Sequence, residues 1–436
     1  MGRVIEQVLG RAKARGASAD ALLRDSTVLA LSFESGRLKG STLSQEAGLN
    51  LRVALGGKVG VAGTTDLSAA DDVVARAFAS AAEGDPLEID LPAGAALPEV
   101  RIFDPKAAEL DVTALAALGR AVVERLRRPG WQVSASVERH VETAWFGNSA
   151  GQAFEQRVSA ISLSAEVTRV QGDDVLMAYD VFASSGAPTA DELEQIARSI
   201  IVKIERGEKI VEPPDGRLPV LFTPEGLAAV LMPLRQALSG KSVLQGVSPL
   251  SGKLGESLFD AGFTLTDEPL LPGRVASRGA DDEGVVSRRL PLVERGIVRA
   301  FVYDLETAAR AGVRSTGHGQ RSTFGKPGIG YTNLVIGAGT HDEASLLREV
   351  GSGLIVDELI GVGQGNLSSG AFSHPVALAY RVDRGEITGR VKDAAVAANA
   401  FDLLKRIKAI GRDGKWLGGT RYVPPMVMDG VSVARR

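Results

Sequence analysis

The segment from Asp281 to Ser373 carries four short polar motifs: Asp281-Asp282-Glu283-Gly284, Ser315-Thr316-Gly317-His318, Asp357-Glu358-Leu359-Ile360-Gly361 and Ser369-Gly370-Ala371-Phe372-Ser373. The sequence around these motifs is apolar and rich in glycine. Residues 259–393 form mostly short apolar runs bounded by turn residues, which is typical of strands. This pattern predicts a β-rich core for the C-terminal half. Helices are predicted over residues 343–350 and 394–410 from their apolar stripes.

The N-terminal half predicts two strand-rich units, each followed by a helix. Residues 28–63 hold short alternating stretches and precede a predicted helix over residues 69–82. Residues 140–168 alternate in the same way and precede a predicted helix over residues 190–206. Strand-rich units closed by helices indicate an α+β fold, with helices packed on antiparallel strands.

Two polar pairs predict where these helices begin. Ser68 with Asp71, and Thr189 with Glu192, have the spacing of a helix N-terminal capping box. A further helix is predicted over residues 112–127, between the two units.

A boundary is predicted at Glu212-Pro213-Pro214-Asp215-Gly216, because consecutive prolines followed by Asp-Gly interrupt both helix and strand. A length of 436 residues favours two domains over one. The predicted division is an N-terminal α+β domain over residues 1–212 and a C-terminal β-rich domain over residues 217–436.

Composition excludes several classes of function. A net charge of -3 with no basic stripe argues against nucleic-acid binding. No apolar run is long enough to suggest a membrane span, and residues 1–16 predict an amphipathic helix and no targeting signal. The chain has no cysteine, which suits a reducing compartment. We therefore expect a cytoplasmic protein.

The order and spacing of the four motifs resemble the TldD/TldE (PmbA) family. The N-terminal segments Gly36-Arg37-Leu38, Leu51-Arg52-Val53 and Gly57-Lys58-Val59-Gly60 are also similar to the opening region of that family. In its TldD subunits a His-Glu-x-x-x-His motif binds zinc. The resemblance places Leu231-Met232-Pro233-Leu234-Arg235-Gln236 at those positions.

Residues 231–236 cannot replace that zinc motif chemically. Leu231 has no lone pair to offer, Met232 cannot act as a general base, and the Gln236 amide is a poor substitute for imidazole. Pro233 further argues against a regular helix interior at this point. We expect no metal site in this chain, so the resemblance favours the TldE side of the pair.

The resemblance implies a non-catalytic subunit of a zinc metalloprotease that acts on unfolded peptides, in leader-peptide removal or small-protein degradation. It implies a dimer with a TldD-like subunit, or with a second copy of the chain, around an enclosed cavity. Zinc is expected only in the TldD-like partner. The residues expected to lie near a substrate cleft are Asp281, Asp282, Glu283, Gly284, Ser315, Thr316, Gly317, His318, Ser369, Gly370, Phe372 and Ser373.

Local patterns also allow simpler interpretations of these motifs. Three adjacent carboxylates at 281–283 are typical of a solvated loop, and Phe372 is typical of core packing. The four histidines have no ligand spacing and are expected to be isolated surface or hydrogen-bonded imidazoles.

Two other functions stay open at this point. One is a homodimeric peptide-binding or scaffold protein that works without TldD. The other is a serine hydrolase, because residues 147–151 match Gly-x-Ser-x-Gly with Ser149 as nucleophile. The alternating sequence after Ser149 favours a hairpin turn over the helix that a hydrolase requires.

Overall fold

The N-terminal half is built on a six-stranded antiparallel sheet in the computed structural model, which describes residues 2–364 and 366–435. The strand order is β3-β2-β1-β4-β5-β6. Its strands are β1 (Ser18–Glu34), β2 (Arg37–Leu55), β3 (Lys58–Thr64), β4 (Trp131–Asn148), β5 (Ala153–Gln171) and β6 (Asp174–Ser184). Every neighbouring pair in this sheet is antiparallel.

The helices of the N-terminal half cover one face of this sheet. They are α1 (Gly2–Ala14), α2 (Ala70–Ala82), α3 (Pro105–Ala108), α4 (Val112–Leu126) and α5 (Ala190–Arg206). Side chains alternate between the faces of a strand, and the odd-numbered residues Leu23, Leu29 and Leu31 of β1 are buried under these helices. The opposite face carries polar residues such as Asp20 and Arg24, and it meets the C-terminal half.

The C-terminal half contains an eight-stranded sheet, a six-stranded sheet and a two-stranded ribbon among the described residues. The eight-stranded sheet has the order β15-β8-β22-β18-β16-β17-β7, with β19 paired to β22. The six-stranded sheet has the order β11-β10-β9-β14-β21-β20, and β12 pairs with β13. The strands are β7 (Ile210–Val211), β8 (Gly216–Phe222), β9 (Leu265–Asp267), β10 (Leu290–Glu294), β11 (Ile297–Val298), β12 (Gly319–Gln320), β13 (Gly328–Ile329), β14 (Leu334–Ile336), β15 (Gly353–Leu359), β16 (Ala371–Asp383), β17 (Glu386–Val391), β18 (Ala394–Asn399), β19 (Ile407–Ile410), β20 (Lys415–Leu417), β21 (Arg421–Val423) and β22 (Met426–Arg435).

Short helices connect the strands of these sheets. They are α6 (Ala228–Ala237), α7 (Gly240–Leu244), α8 (Leu305–Ala311), α9 (Glu343–Val350), α10 (Ala400–Leu403) and a 3₁₀ turn at Leu367–Ser369. The α+β prediction, with an N-terminal antiparallel sheet under helices and a β-rich C-terminal half, is confirmed. No helix in residues 2–364 and 366–435 combines the length and the apolar character that crossing a bilayer requires.

The two halves share a hydrophobic core. Leu115 of α4 and Ile200 of α5 belong to the same buried cluster as Leu221 of β8 and Ile355 of β15. The C-terminal sheet also includes a strand from before the predicted boundary. Strand β7 precedes Pro213-Pro214 in sequence and pairs with β17. The exact division into domains at residues 212 and 217 stays a prediction.

Helix starts were predicted correctly in one case and wrongly in the other. Thr189 and Glu192 form the reciprocal capping box at the start of α5. The corresponding prediction for Ser68 is wrong: α2 begins after Ala69 without a side-chain cap, and the Ser68 hydroxyl donates to Asp66 Oδ1 instead.

The predicted helix over residues 394–410 is wrong. The segment forms strand β18, the short helix α10 and strand β19. β18 lies between β16 and β22 and pairs with both, so its backbone groups are satisfied by neighbouring strands. Asn399 then starts α10 by accepting hydrogen bonds from the backbone N–H groups of Phe401 and Asp402.

The expectation that Pro233 would prevent a regular helix is also wrong. Pro233 lies inside α6, where it removes one backbone donor at a cost of about 3 kcal/mol. The burial of Val230, Leu231 and Leu234 in the C-terminal core favours the helix despite this cost.

Replacing Gly60 with alanine is expected to lower the thermal midpoint of unfolding. The added Cβ would lie 2.2 Å from both Ala77 O and Ala81 N, so α2 would have to move away from β3. Overpacking of this kind costs about 1–3 kcal/mol. The matched control is Gly10→Ala in α1, where no atom lies within 4 Å of the added Cβ and alanine favours the helix. Calorimetry should show a lower midpoint only for Gly60→Ala, and equal midpoints for the two variants would contradict this packing.

Candidate functional site

One stripe of helix α6 is left outside the hydrophobic core. The helix buries Val230, Leu231 and Leu234, whereas Met232, Arg235 and Gln236 are half-buried. Residues at positions i, i+3 and i+4 lie on the same side of a helix, so these three side chains form a single surface, which we call the α6 stripe. Of the positions that the resemblance aligns with a zinc motif, Met232 and Gln236 lie on the stripe and Leu231 lies in the core.

Met232 of the α6 stripe lines a small cavity of about 130 Å³, together with Ala229 and Pro233 of the same helix. Across the cavity lie the start of β16 and the loop before it. The Gln236 amide joins α6 to this loop by donating to Ser368 Oγ, at 2.9 Å. The lining residues are Ala229, Met232, Pro233, Val362, Gly363, Gln364, Asn366, Leu367, Ala371, Phe372, Ser373 and His374. The structure therefore brings Met232 together with Phe372 and Ser373, which were predicted as separate site residues.

Phe372 and His374 form the wall opposite α6. Their rings stack with centroids 5.8 Å apart, and Phe372 is partly buried against the C-terminal core. Burial lowers the pKa of His374, which keeps its imidazole neutral at physiological pH. Phe372 thus both packs and lines the cavity. The sequence motif ended one residue before His374 and did not single out this histidine as part of the site.

Ser369 and Gly370 shape the turn that leads into β16. Gly370 has a φ of +69°, and a Cβ at this position would lie 2.4 Å from the Phe401 ring, so the turn requires glycine. Ser369 is exposed, and its hydroxyl donates to Asn366 O and accepts from Ala371 N. Both residues position the cavity wall without lining it.

The described residues that line this cavity do not fit a zinc ion. They include one imidazole, that of His374, and neither a carboxylate nor a thiolate. A zinc site needs three or four such donors. Across residues 2–364 and 366–435, no group of three His, Cys, Asp or Glu side chains is arranged to hold a metal ion.

The acidic motif at 281–284 lies at the contact between the two halves of the chain. Asp281 and Glu283 are fully buried, so the expectation of a solvated loop is wrong. Asp281 accepts three backbone hydrogen bonds, from Glu283, Val285 and Gly319, at 2.7–3.0 Å. These three bonds satisfy the Asp281 carboxylate within the protein, so its burial leaves no acceptor without a donor.

Arginines of the N-terminal sheet hold this motif in place. Glu283 Oε1 lies 2.5 Å from Arg52 Nη1, and Arg52 also pairs with the buried Asp20. Asp282 Oδ1 accepts from Arg24 Nη2 at 2.6 Å. Asp20 in turn lies 2.6 Å from Arg321 Nη2. We call these six residues, Asp20, Arg24, Arg52, Asp282, Glu283 and Arg321, the ionic network.

Gly284 allows close contact between the acidic motif and the N-terminal sheet. It has a φ of +83°, and a Cβ at this position would lie 2.4 Å from the Phe146 ring of β4. Only glycine therefore allows the acidic motif to approach the N-terminal sheet so closely.

The Ser315–His318 motif is a turn beside the acidic motif, with Ser315 and Thr316 half-buried and Gly317 and His318 buried. The hydroxyls of Ser315 and Thr316 both donate to Tyr303 O, and Gly317 has a φ of +79°. His318 is 2% exposed, and its Nδ1 lies 2.9 Å from Thr316 Oγ1. The prediction of a hydrogen-bonded imidazole holds for His318.

Tyr331 connects this turn to α6. Its ring packs edge-on against His318 with centroids 6.1 Å apart, and its hydroxyl donates to Arg235 O at 2.5 Å. The Arg235 guanidinium lies 5.0 Å from the centroid of the same ring. Sequence analysis missed Tyr331 because no local pattern distinguishes it from a core tyrosine.

Ser149 lies in a β-hairpin turn and not in a nucleophile elbow. β4 ends at Asn148 and β5 begins at Ala153, so a strand follows Ser149 where a hydrolase needs a helix. The Ser149 hydroxyl accepts a hydrogen bond from Ala19 N at 3.0 Å. The turn interpretation is confirmed, and the hydrolase alternative is dropped.

Stability is expected to fall between about pH 4 and pH 7 because of Asp281. Burial, and then the charge of Glu283, raise the pKa of Asp281 to about 7 in the folded chain, although Arg278 and the backbone donors oppose the shift. The folded state then keeps a proton that the unfolded state releases, so rising pH favours unfolding up to that value.

Asp281→Asn removes this titration, so its loss of stability from pH 5 to pH 8 should be smaller than that of the parent chain. The matched control is Asp413→Asn, at a residue whose side chain is 83% exposed. Urea unfolding at both pH values gives the comparison. Parallel changes in the parent chain and Asp281→Asn would contradict the assigned role of Asp281.

Comparison with known proteins agrees with this geometry. Residues 215–435 match the model of the PmbA/TldA metallopeptidase C-terminal domain, and residues 19–81 match that of PmbA/TldA metallopeptidase domain 1. A metalloprotease of Methanothermobacter thermautotrophicus is 25% identical over 405 residues, covering 89% of this chain and 86% of that protein. The metalloprotease PmbA homolog of Haemophilus influenzae is 27% identical over 418 residues, covering 91% of this chain and 88% of that protein.

The crystal structure of TldE from Thermococcus kodakarensis has the same fold. It superposes with a TM-score of 0.91 at 22% sequence identity, covering 99% of this chain and 100% of that one. The C-terminal match alone spans more than half of the 436 residues. The chain therefore belongs to the PmbA/TldA metallopeptidase family.

Proposed function

We propose that this chain is the non-catalytic, TldE/PmbA-like subunit of a TldD/TldE-type zinc metalloprotease complex. A TldD-like partner would hold the zinc and cleave unfolded peptides, in leader-peptide removal or small-protein degradation. This chain would form part of the chamber and bind the peptide. We place the complex in the cytoplasm, which suits a chain without cysteine.

The observation that carries this proposal is the α6 stripe. Met232 lines a cavity in a metallopeptidase fold, and Gln236 bonds to Ser368 in the loop beside it, yet neither side chain can supply a catalytic zinc ligand or a general base. The resemblance aligns this surface with the zinc motif of TldD, and its side chains lack the donors for the reaction. A subunit of this kind can assist cleavage only by shaping the chamber or holding the substrate.

A free strand edge supports peptide binding by this chain. β3 pairs with β2 over Leu49–Leu55, so among the described residues the stretch from Arg37 to Gly48 pairs with β1 alone. Residues 37–46 of this stretch are exposed, and the Leu43 side chain is 67% exposed. An unpaired edge can add an extended peptide through main-chain hydrogen bonds, with little dependence on the peptide sequence.

Peptidase activity is expected only when a TldD-like partner is present. The purified chain alone should not cleave an unfolded peptide, and an equimolar mixture with a TldD-like subunit should cleave it faster than that subunit alone. Cleavage is followed with a fluorogenic unfolded peptide, and association by size-exclusion chromatography. A homodimer that never exchanges subunits with the partner, and leaves its activity unchanged, would favour a homodimeric scaffold instead.

A cavity-filling variant sharpens this test. Met232→Trp places a larger side chain in the cavity of about 130 Å³ and should slow cleavage by the mixture without preventing association. Leu254→Trp is the matched control, because Leu254 is 58% exposed and does not line the cavity. Equal cleavage rates with both variants would contradict a role for the α6 stripe in peptide binding.

A further inference from the structure

We propose that a cleft beside the free edge of β2 is a subsite for one cationic side chain, lysine or arginine, of a bound peptide. The cleft has a volume of about 760 Å³. This inference rests on the proposed binding of a peptide by strand addition, and it adds the chemical class of residue that this position selects. The lining residues are Arg24, Ser26, Gln45, Glu46, Ala47, Gly48, Thr65, Glu142, Ser322, Thr323 and Phe324.

The cleft adjoins the stretch of β2 at which a peptide strand would add. β3 pairs with β2 over Leu49–Leu55 and ends at Thr64, and the next residue, Thr65, lines the cleft. Residues 45–48 of β2 line the same cleft. A peptide strand that continues along β2 from the end of β3 would therefore run beside it. Alternate side chains of that strand would point to the face of the sheet on which the cleft lies.

Two glutamates lie in one row across this face of the sheet. Glu46 of β2 and Glu142 of β4 are both in register with Ser26 of β1, which lies between them. Neighbouring strands are about 5 Å apart, so about 10 Å separates the Cα atoms of the two glutamates. The small Ser26 side chain leaves space above the sheet between them, and all three residues line the cleft. A peptide side chain opposite Glu46 would extend this row by one strand.

Arg24 also lines the cleft, but the protein already engages its guanidinium. Its Nη2 donates to Asp282 Oδ1 at 2.6 Å, its Nη1 donates to Arg321 O at 2.7 Å, and its Nε lies 3.3 Å from Glu142 Oε1. Each of its three nitrogens therefore has an acceptor within the protein. This arginine does not make the cleft a site for an anion.

Glu46 supplies an uncompensated charge beside the strand edge. It is exposed, and no cation in residues 2–364 and 366–435 pairs with it; Lys39 of the same strand pairs with Glu34 instead. A cation opposite Glu46 would form a cross-strand ion pair, which stabilises the pairing of the two strands, whereas a carboxylate there would be repelled. This charge complementarity favours a basic residue of the peptide over an acidic one.

Phe324 provides an apolar surface for the stem of such a side chain. It lines the cleft and is 59% exposed. The loop that carries it is held on the sheet, because Asn50 Nδ2 donates to the carbonyls of Thr323 and Gly325. Lysine and arginine pack a hydrocarbon stem on apolar surface while their charged group stays in water. The aromatic ring and the carboxylates together therefore fit a cationic side chain better than a neutral polar one.

Peptide binding with a single varied position tests this inference. Four fluorescent unstructured peptides with blocked termini differ only at a central residue, which is Lys, Arg, Gln or Glu. Anisotropy measures their affinity for the full chain, or for its complex with a TldD-like subunit if binding requires the partner. At least one cationic peptide should bind about fivefold more tightly than the Gln peptide, the upper end for an exposed cross-strand ion pair. The Glu peptide should bind more weakly than the Gln peptide, and high ionic strength should reduce both differences.

Substitutions in the cleft assign the effect to these residues. Glu46→Gln should remove most of the preference for a cation, and Glu46→Lys should invert it, so that the Glu peptide binds more tightly than the Lys peptide. Phe324→Ser should reduce the advantage of the cationic peptides over the Gln peptide. Glu166→Gln is the matched control for Glu46→Gln and should leave the preference as it is, because Glu166 lies on the same face of the sheet, on β5, and does not line the cleft. Thermal midpoints show whether each variant is folded.

The outcomes separate the inference from the function on which it rests. Equal binding of all four peptides, or tightest binding of the Glu peptide, overturns the cationic subsite while peptide binding stands. A preference that Glu46→Lys leaves unchanged also overturns it, because the cation must then bind elsewhere. Equal effects of Glu166→Gln and Glu46→Gln overturn it as well, since the peptide then responds to overall charge. Failure of every peptide to bind, with and without the partner, overturns peptide binding by this chain.

Discussion

The pairing of Arg52 with Asp20 and Glu283 is the contact on which the rest of the structure depends. Asp20 and Arg52 lie on neighbouring strands of the N-terminal sheet, and Glu283 belongs to the C-terminal half. All three side chains are almost inaccessible to solvent. Removing one partner would leave an uncompensated buried charge, which typically costs about 3–5 kcal/mol. This requirement fixes one relative position of the two halves.

The same contact determines where the segment after β12 can lie. Arg321 joins the network through Asp20, and Asn50 donates to the carbonyls of Thr323 and Gly325. Gly48 and Gly63 leave room for this segment, because a Cβ at either position would overlap Thr323. The chain then reaches Tyr331, whose hydroxyl bonds to α6. A continuous series of contacts therefore links the buried ions to the α6 stripe.

This arrangement shows where three of the four polar motifs lie. The acidic motif joins the two halves through Arg24 and Arg52, and the Ser315–His318 turn lies beside it within the C-terminal half. The segment around Ser369–Ser373 shapes the cavity opposite α6. Only the last of these lies where a peptide at α6 could touch it directly. None of the residues in the first two motifs lines this cavity, and their place near a substrate cleft stays a prediction.

Sequence reasoning succeeded where a local signal determines the outcome. The Thr189–Glu192 box predicted the start of α5, and alternating residues predicted the hairpin at Ser149. It failed where contacts between residues far apart in sequence determine the local structure. Apolar residues in 394–399 recur at helical spacing, yet this segment forms strand β18 because it pairs with β16 and β22. The acidic run was expected in solvent because its arginine partners lie more than 200 positions away in sequence.

Zinc stoichiometry measured by native mass spectrometry tests the central claim most directly. The measurement compares the purified chain with its complex with a TldD-like subunit, each loaded with excess zinc and then desalted. The account predicts no retained zinc on the isolated chain and one zinc per heterodimer, located on the partner after the subunits are separated. One tightly held zinc on the isolated chain would contradict the account, because this chain would then carry a metal site of its own.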